Sequence, residues 1–284
     1  MKVVSGTSSG KLAEALSKEI GCTRAQVRLE RFPDDECYVR IEENLDGEEI
    51  LLVSNSYPDR NIIELFLLQD ALRNFELKSL TTFIPYFGYA RQDKIFKPGE
   101  VISAMSMARR IGQASDLIVL VDVHEPKIAN WFDRPAISLS AMKEIGKYLA
   151  SKGVEIIISP DLGALEMAKT AARAANAEFD YIVKHRITAD SVRIELKSLN
   201  VRGKCIGIVD DMISTGGTIR ESARNIYEQG GRKVYAACTH GLFSKNALDM
   251  LQTEVDGIYS TDTIENPCSV ISVANVVKDA VIKL

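Results

Sequence analysis

The segment from Cys205 to Thr218 constrains the fold of this chain more than any other part of its sequence. Residues 206–209 form an apolar run typical of a buried strand, and two adjacent acids follow it. A loop of small residues comes next, and then an amphipathic helical pattern that Gly230 and Gly231 end. Unpaired N–H groups and the helix dipole both point into such a loop. The segment therefore predicts a strand, an anion-binding loop and a helix in direct succession.

The residues of this loop have the chemistry of a phosphate cradle. Two glycines let the backbone approach a phosphate closely, and three hydroxyls can donate to its oxygens. The acids before the loop are suited to sugar hydroxyls or to a divalent cation. A phosphorylated sugar would satisfy both halves, and the alternative is an ordinary strand–turn–helix corner with solvated acids. The residues concerned are Asp210, Asp211, Ser214, Thr215, Gly216, Gly217 and Thr218.

The rest of the chain repeats this alternation of β-rich runs and helical periodicity, which favours parallel βαβ architecture. Strands are predicted at 2–4, 50–54, 79–84, 117–121, 155–159, 181–185, 205–209 and 233–237, and helices at 62–74, 105–113, 140–151 and 164–176. The likeness of 50–74 to 155–176, and of 117–124 to 205–211, suggests an internal duplication. We therefore expect two similar α/β domains, at 1–139 and 140–284, each with a mostly parallel sheet flanked by helices.

Composition excludes several classes of function. A chain of 284 residues with 46% hydrophobic and 26% charged residues has the make-up of a soluble globular protein. Its net charge of -4 argues against a nucleic-acid partner. No apolar stretch is long enough to span a bilayer and no signal-peptide pattern is present, which predicts a cytoplasmic protein without membrane contact. Five scattered cysteines, none in a CxxC pair, argue against zinc or disulfide frameworks.

Two motifs connect the chain to a known family. The loop at 214–218, with its preceding acids, resembles the phosphoribosyl-pyrophosphate (PRPP) loop of type I phosphoribosyltransferases. Residues 85–94, PYFGYARQDK, resemble the ATP-binding Arg-Gln-Asp stretch of ribose-phosphate diphosphokinases (PRPP synthases), which simple phosphoribosyltransferases lack. Taken alone, these charges could equally belong to a solvated loop. The resemblance assigns Arg91, Gln92 and Asp93 to ATP.

Three further segments match the same family. Phe32, Asp34 and Glu36 match a loop that reaches the adenine of ATP bound by a neighbouring subunit, although Asp35 replaces the usual glycine. His124 follows a predicted strand; its residue type alone favours a phosphate contact or a structural role, whereas the family places it at the ATP–magnesium site. Asp161 alone suggests a helix cap region, and the family has an acid near the ribose and metal there.

Lys184 and Arg186 close another predicted strand, and a return strand is predicted at 192–196. Basic residues at a strand end are commonly only edge protection. The family instead has a loop beginning Lys-x-Arg that folds over the transferring phosphates. The resemblance thus makes Lys184 and Arg186 the catalytic cations.

The resemblance implies a short-form ribose-phosphate diphosphokinase with two tandem type I phosphoribosyltransferase-like domains. It implies Mg²⁺ as cofactor, with His124 and Asp161 at the metal, and ATP and ribose 5-phosphate as substrates. It also implies a homo-oligomer, with roughly the last ten residues packing back on the first domain. Two alternatives stay open: a PRPP-consuming phosphoribosyltransferase, and a non-catalytic, synthase-like regulatory subunit.

Overall fold

The strands of the first part of the chain form one parallel sheet and one hairpin in the computed structural model. The sheet has the order β2-β1-β5-β6-β7-β8, and β3 pairs antiparallel with β4. Helices α1 (Gly10–Ile20), α2 (Asp59–Leu72) and α3 (Ser103–Gly112) connect these strands. The strands are β1 (Lys2–Ser5), β2 (Thr23–Arg24), β3 (Val27–Arg31), β4 (Cys37–Ile41), β5 (Glu49–Val53), β6 (Ser79–Ile84), β7 (Leu117–Val121) and β8 (Ala136–Leu139).

The second part of the chain forms a seven-stranded sheet in the order β11-β10-β9-β12-β13-β14-β15. Its strands are parallel except for β11, which pairs antiparallel with β10. The helices are α4 (Met142–Ser151), α5 (Leu165–Ala175), α6 (Gly217–Glu228) and α7 (Ala247–Gln252). The strands are β9 (Ile156–Ser159), β10 (Glu178–Arg186), β11 (Val192–Leu196), β12 (Cys205–Ile213), β13 (Lys233–Gly241), β14 (Gly257–Thr261) and β15 (Ser269–Ile271).

The structure describes the backbone of residues 1–186, 192–196 and 200–282, and the side chains of 1–182 and 200–282. The chain divides into two compact units. Unit 1 is Met1–Ser140 with Val273–Leu284, and unit 2 is Ala141–Ser272. The domain limits of 1–139 and 140–284 stay a prediction, and the units differ from them chiefly in where the last segment belongs.

Each sheet is covered on both faces, which explains the near-continuous apolar runs of its central strands. Leu52 in β5 and Ile118 in β7 lie in the core of unit 1, and Ile158 in β9 and Ile206 in β12 lie in that of unit 2. Burying such runs supplies the main favourable free energy of folding. Strands predicted at 79–84 and 117–121 therefore coincide with β6 and β7.

The two sheets share one strand order once β11 is set aside. The order β2-β1-β5-β6-β7-β8 corresponds, strand for strand, to β10-β9-β12-β13-β14-β15. In this correspondence β5 and α2 match β12 and α6. The duplication inferred from the sequence, which paired 50–74 with 155–176 and 117–124 with 205–211, was therefore in the wrong register. One apolar run resembles any other, so hydrophobicity alone does not identify which parallel strand is which.

The last helix, α8 (Ala274–Val281), belongs to unit 1 and packs on α1. Val277 is fully buried, and Lys278 Nζ lies 3.4 Å from Glu19 Oε2. In unit 2, α4 packs on α5 in the same way. Because α1 corresponds to α5, α8 takes in unit 1 the place that α4 takes in unit 2. In the part of the chain described, no helix is long and apolar enough to cross a membrane.

Candidate active site

The phosphate loop predicted at 214–218 lies between β12 and α6, and two glycines shape it differently. Gly216 caps α6 with φ +74°, and a Cβ there would lie 2.9 Å from Cδ1 of Leu251 and 2.9 Å from Cε of Met250. Gly217 begins the helix, and nothing lies within 4 Å of the position its Cβ would take. The first glycine is therefore needed for packing and backbone conformation, whereas the second leaves open space beside the helix N-terminus.

The segment after β13 holds this loop through its backbone. The N–H groups of Leu242 and Phe243 both donate to the carbonyl of Ile213, at 3.0 Å, and that of Ser244 donates to the carbonyl of Ser214, at 2.9 Å. Strand β12 itself continues further along the chain than the sequence predicted. The sequence placed Asp210 and Asp211 after the strand, but Met212 and Ile213 still pair with β13. The prediction that the strand ends before the acids is therefore wrong, and both acids lie within its last residues.

The two acids are close together and poorly solvated. The N–H of Asp211 donates to Oδ1 of Asp210 at 2.9 Å, and the N–H of Met212 donates to Oδ1 of Asp211 at 2.8 Å. Burial raises the pKa of Asp210 to about 8. The charge of Asp211, a side-chain hydrogen bond with it and the charge of Asp161 add to the rise, while the bond from the backbone N–H of Asp211 lowers it. This edge of the sheet thus accumulates negative charge that a cation would relieve.

Asp161 stands in the turn between β9 and α5. Its Oδ1 accepts from the N–H of Gly163 at 2.8 Å and from that of Ala164 at 3.2 Å. The side chain is exposed, and β9 lies beside β12 in the sheet. Asp161 therefore shares the carboxyl edge of the sheet with the paired acids, as the carboxyl ends of neighbouring parallel strands do.

The oxygen donors of unit 2 fit a magnesium ion that is bound partly by the protein and partly by the substrate. Among the described side chains, no three or more His, Cys, Asp and Glu are grouped so as to hold a metal ion by themselves. Mg²⁺ commonly takes one or two carboxylates and completes its shell with water and substrate phosphates. Burial first, and then the neighbouring charges of Asp211 and Asp161, raise the pKa of Asp210, and a cation beside these oxygens would favour their ionised forms. A closed metal site made only of protein ligands does not fit.

In unit 1, the segment between β6 and α3 carries the residues predicted to bind ATP. Asp93 is buried and ion-paired with Lys127, whose hydrogen bond holds the pKa of the Asp93 carboxyl below its usual range. Oε1 of Gln92 accepts from Oγ of Ser103 at 3.1 Å. Arg91 is exposed. Of the three residues assigned to ATP, Arg91 is therefore the one that presents its charge to solvent, while Asp93 fixes the segment to the 3-10 turn at Pro126–Trp131.

His124 follows β7 at the carboxyl edge of the same sheet, and its side chain is exposed. Two residues earlier, Asp122 is buried, and its N–H donates to the carbonyl of Leu139 at 2.8 Å. His124 lies in unit 1 and Asp161 in unit 2. The metal assignment that joins these two residues stays a prediction.

The turn between β3 and β4 contains the other residues predicted to contact ATP. Phe32 and Glu36 close it, with the N–H of Phe32 donating to the carbonyl of Glu36 at 2.9 Å. Asp35 has φ +69°, the left-handed conformation that glycine adopts at least cost. The N–H of Glu36 donates to Oδ1 of Asp34 at 3.2 Å. Half of the Phe32 side chain is exposed, so an aromatic face is available at the tip of the hairpin.

Lys184 and Arg186 lie in β10, where the backbone pairs them with Ile194 and Val192 of β11. The predicted hairpin is thus present. Their side chains, and residues 187–191, lie outside the part of the chain that the structure describes. Their predicted role in catalysis stays a prediction.

Comparison with known proteins agrees with this geometry. Residues 1–114 match the family model for the N-terminal domain of ribose phosphate pyrophosphokinase, and residues 133–274 match the phosphoribosyl transferase domain. A ribose-phosphate pyrophosphokinase of Methanopyrus kandleri is 40% identical, with 98% of each chain covered. That of Methanosarcina acetivorans is 37% identical over the whole of both chains. The chain belongs to the ribose-phosphate pyrophosphokinase family.

A solved member of the ribose-phosphate pyrophosphokinase family supports the fold as well. The crystal structure of phosphoribosylpyrophosphate synthetase from Mycobacterium smegmatis superposes with a TM-score of 0.86, at 28% identity, and covers 99% of this chain and 97% of its own. The predicted family, the predicted enzyme class and the two α/β domains with mostly parallel sheets are therefore confirmed.

The ribose-phosphate pyrophosphokinase motifs did not reveal every residue that shapes these two sites. Lys127 was missed although it partners Asp93, because it is separated from Asp93 by 34 positions and sits in a segment without periodicity. Ser244, Met250 and Leu251 were missed although they shape the phosphate loop. No local pattern marks such contacts, since they join segments that are distant in sequence and meet only when each unit folds.

Proposed function

We propose that this chain is a ribose-phosphate pyrophosphokinase that transfers the pyrophosphoryl group of ATP to O1 of ribose 5-phosphate, giving PRPP and AMP for nucleotide biosynthesis. The observation that carries the proposal is the glycine loop at 214–218 with its paired acids, in a chain that matches pyrophosphokinase relatives over its whole length. We further infer that the enzyme works in the cytoplasm.

The acceptor half of the reaction belongs to unit 2. The loop at 214–218 cradles the 5-phosphate, with Gly217 leaving the room and the α6 N-terminus supplying N–H donors. Asp210 and Asp211 hold the 2- and 3-hydroxyls of the ribose.

The donor half belongs to unit 1 and to a neighbouring copy of the chain. Arg91 contacts the phosphates of ATP, and Gln92 and Asp93 keep its segment in place. Phe32, Asp34 and Glu36 of a neighbouring subunit contact the adenine. This arrangement requires a homo-oligomer, because the hairpin that carries Phe32 then completes the site of another protomer.

The transfer itself needs positioning and neutralisation of charge more than covalent help. O1 of the ribose loses its proton to solvent and attacks the β-phosphorus in line. The bond from the β-phosphorus to the oxygen that it shares with the α-phosphorus breaks, and AMP leaves with that oxygen. Lys184 and Arg186 stabilise the negative charge that spreads over the transferring oxygens. Mg²⁺ would neutralise charge on the triphosphate when bound, and His124 and Asp161 are the residues that we expect at the metal.

Two other functions make different predictions. A PRPP-consuming phosphoribosyltransferase would not need residues 1–114, which match the pyrophosphokinase N-terminal domain. A silent regulatory subunit would not need to keep Arg91, His124, Lys184, Arg186 and both acids, all of which are present.

One assay separates the three. The purified chain is incubated with ATP, Mg²⁺ and ribose 5-phosphate, and AMP and PRPP are quantified by chromatography. We expect both products in equal amounts, and neither without ribose 5-phosphate. Consumption of added PRPP with a nucleobase would indicate the phosphoribosyltransferase. No AMP under any tested divalent metal or phosphate concentration would overturn the proposal.

A further inference from the structure

The phosphate loop of unit 2 has a counterpart in unit 1. Because β5 and α2 correspond to β12 and α6 in the two sheet orders, residues 54–58 of unit 1 take the place of the phosphate loop. The two loops differ in chemistry. The sequence of 54–58 is SNSYP, with no glycine. Ser54, Asn55 and Ser56 are almost fully buried, at 0%, 4% and 1% exposure.

Both loops are hydrogen-bonded to the segment that follows the next strand, but only the loop of unit 1 uses its side chains for this. In unit 2, N–H groups of residues 242–244 bond backbone carbonyls, so the side chains of the phosphate loop are not used. In unit 1 the corresponding segment accepts one backbone bond, from the N–H of Ser56 to the carbonyl of Tyr86 at 3.3 Å, and it also bonds side chains. The N–H of Tyr86 donates to Oδ1 of Asn55 at 2.7 Å, and the N–H of Gly88 donates to Oγ of Ser56 at 2.8 Å.

The contact between the two segments of unit 1 is close. A Cβ on Gly88 would lie 2.6 Å from the carbonyl oxygen of Ser56, so a side chain there would force the segments apart. Just beyond, the hydroxyl of Tyr89 donates to Oδ1 of Asp59, the first residue of α2, at 2.7 Å. The N–H of Gln92 then donates to the carbonyl of Tyr89 at 3.0 Å. A continuous set of bonds thus leads from Asn55 and Ser56 to the residues beside Arg91.

We propose that Asn55 and Ser56 are positioning residues for ATP, which fix the backbone of the Arg91 segment without touching a substrate. Their burial keeps them from contacting ligand directly. In unit 2 the loop after β12 binds the 5-phosphate. In unit 1 the corresponding loop, residues 54–58, instead holds the Arg91 segment, which binds the phosphates of ATP. The proposal rests on the proposed function in one respect only, that the Arg91 segment binds ATP.

The test compares Asn55→Ala, Asn55→Asp and Ser56→Ala with the wild type. Both alanine variants should raise the KM and the calorimetric Kd for ATP about fivefold or more, because a small displacement of a binding segment is costly. The KM for ribose 5-phosphate should change by less than about twofold, because its loop lies in unit 2 and keeps its own bonds. Asn55→Asp keeps the oxygen that accepts from Tyr86 and should recover much of the ATP affinity.

Ser115→Ala is the matched control. Ser115 is also buried in unit 1, and its hydroxyl bonds Thr82 at 2.6 Å, but it precedes β7 at the opposite edge of the sheet. This variant should lose thermal stability and keep the ATP affinity of the wild type. An unchanged ATP affinity in both alanine variants, an equal loss in Ser115→Ala, or no recovery in Asn55→Asp would each overturn the proposal.

The same series distinguishes failure of this inference from failure of the proposed function. If the wild type forms no AMP, the proposed function fails, but calorimetry with ATP still decides the role of Asn55 and Ser56. If the wild type neither turns over nor binds ATP, both are overturned.

Discussion

The backbone N–H of Asp211 donates to Oδ1 of Asp210 at 2.9 Å, at the end of a strand whose neighbour contributes Asp161 to the same edge. This bond lowers the pKa of the Asp210 carboxyl, but burial outweighs it and the charges of Asp211 and Asp161 add to the rise, so the pKa lies at about 8. Such a carboxyl favours folding only while it is protonated. Ionisation of Asp210 therefore lowers the stability of the protein when no cation is bound.

Stability of the metal-free protein should decrease as pH rises. A carboxyl whose folded pKa lies above its unfolded value contributes stability below the unfolded pKa, and that contribution is lost as pH rises through the folded pKa. Between pH 5 and pH 9, on either side of the raised pKa of Asp210, the free energy of unfolding should fall by at least about 1 kcal/mol. Urea unfolding in EDTA measures this. Asp210→Asn should show a clearly smaller fall, and equal slopes in the two proteins would contradict the prediction.

Alanine at the two loop glycines should have opposite consequences. Gly216→Ala meets Leu251 and a positive φ, so we expect a loss of about 1–3 kcal/mol in stability. Gly217→Ala has open space and a helical position, so its stability should stay within about 0.5 kcal/mol of the wild type. Its methyl group would instead occupy the space given to the 5-phosphate, and calorimetry should show weaker ribose 5-phosphate binding. A Gly217→Ala protein that binds normally would place the phosphate elsewhere.

Asp35 should tolerate glycine and reject valine. Asp35 already has φ +69°, so Asp35→Gly keeps the turn and should leave the KM for ATP unchanged. Asp35→Val puts a β-branched residue in the left-handed region, at a cost of about 1–2 kcal/mol, and should raise the KM for ATP. Steady-state kinetics with varied ATP tests both. A valine variant with wild-type kinetics would show that the turn makes no contribution to the ATP site.

Removing both of the cations proposed to be catalytic should slow the chemical step. In the double variant Lys184→Ala/Arg186→Ala we expect kcat to fall by roughly a hundredfold or more, as when transition-state donors are removed. The calorimetric Kd for ribose 5-phosphate should change little, since binding and transition-state stabilisation are separable. Lys204→Ala is a suitable control, because Lys204 is an exposed lysine of unit 2 paired with Glu155. Unchanged turnover in the double variant would remove Lys184 and Arg186 from the mechanism.

The sequence predicted those features that depend on local chemistry. The β12–loop–α6 succession follows from an apolar run, two glycines and a helical period, and β6 and β7 follow from apolar runs with clear limits. Features that depend on pairing were not predicted. The extension of β12 to Ile213 requires β13 beside it, and the Asp93–Lys127 pair requires a folded unit 1.

Asp35 illustrates a third case. It replaces the glycine usual in the family, which left the geometry of the turn open, and its backbone has the positive φ that glycine adopts at least cost. Aspartate is among the few residues that visit this region at modest cost. The identity of a residue thus did not decide the backbone conformation, which the closing bonds between Phe32 and Glu36 impose.

The docking of α8 on α1 has a consequence for biosynthesis. A ribosome makes residues 1–140 long before it makes residues 274–281, yet unit 1 needs Val277 of that late helix to cover its surface. Unit 2 has all of its own segments once residue 272 has emerged. The first half of the protein to be synthesised is therefore the last to be complete. A nascent chain stalled before α8 would expose an apolar stripe on α1, the kind of surface that chaperones bind.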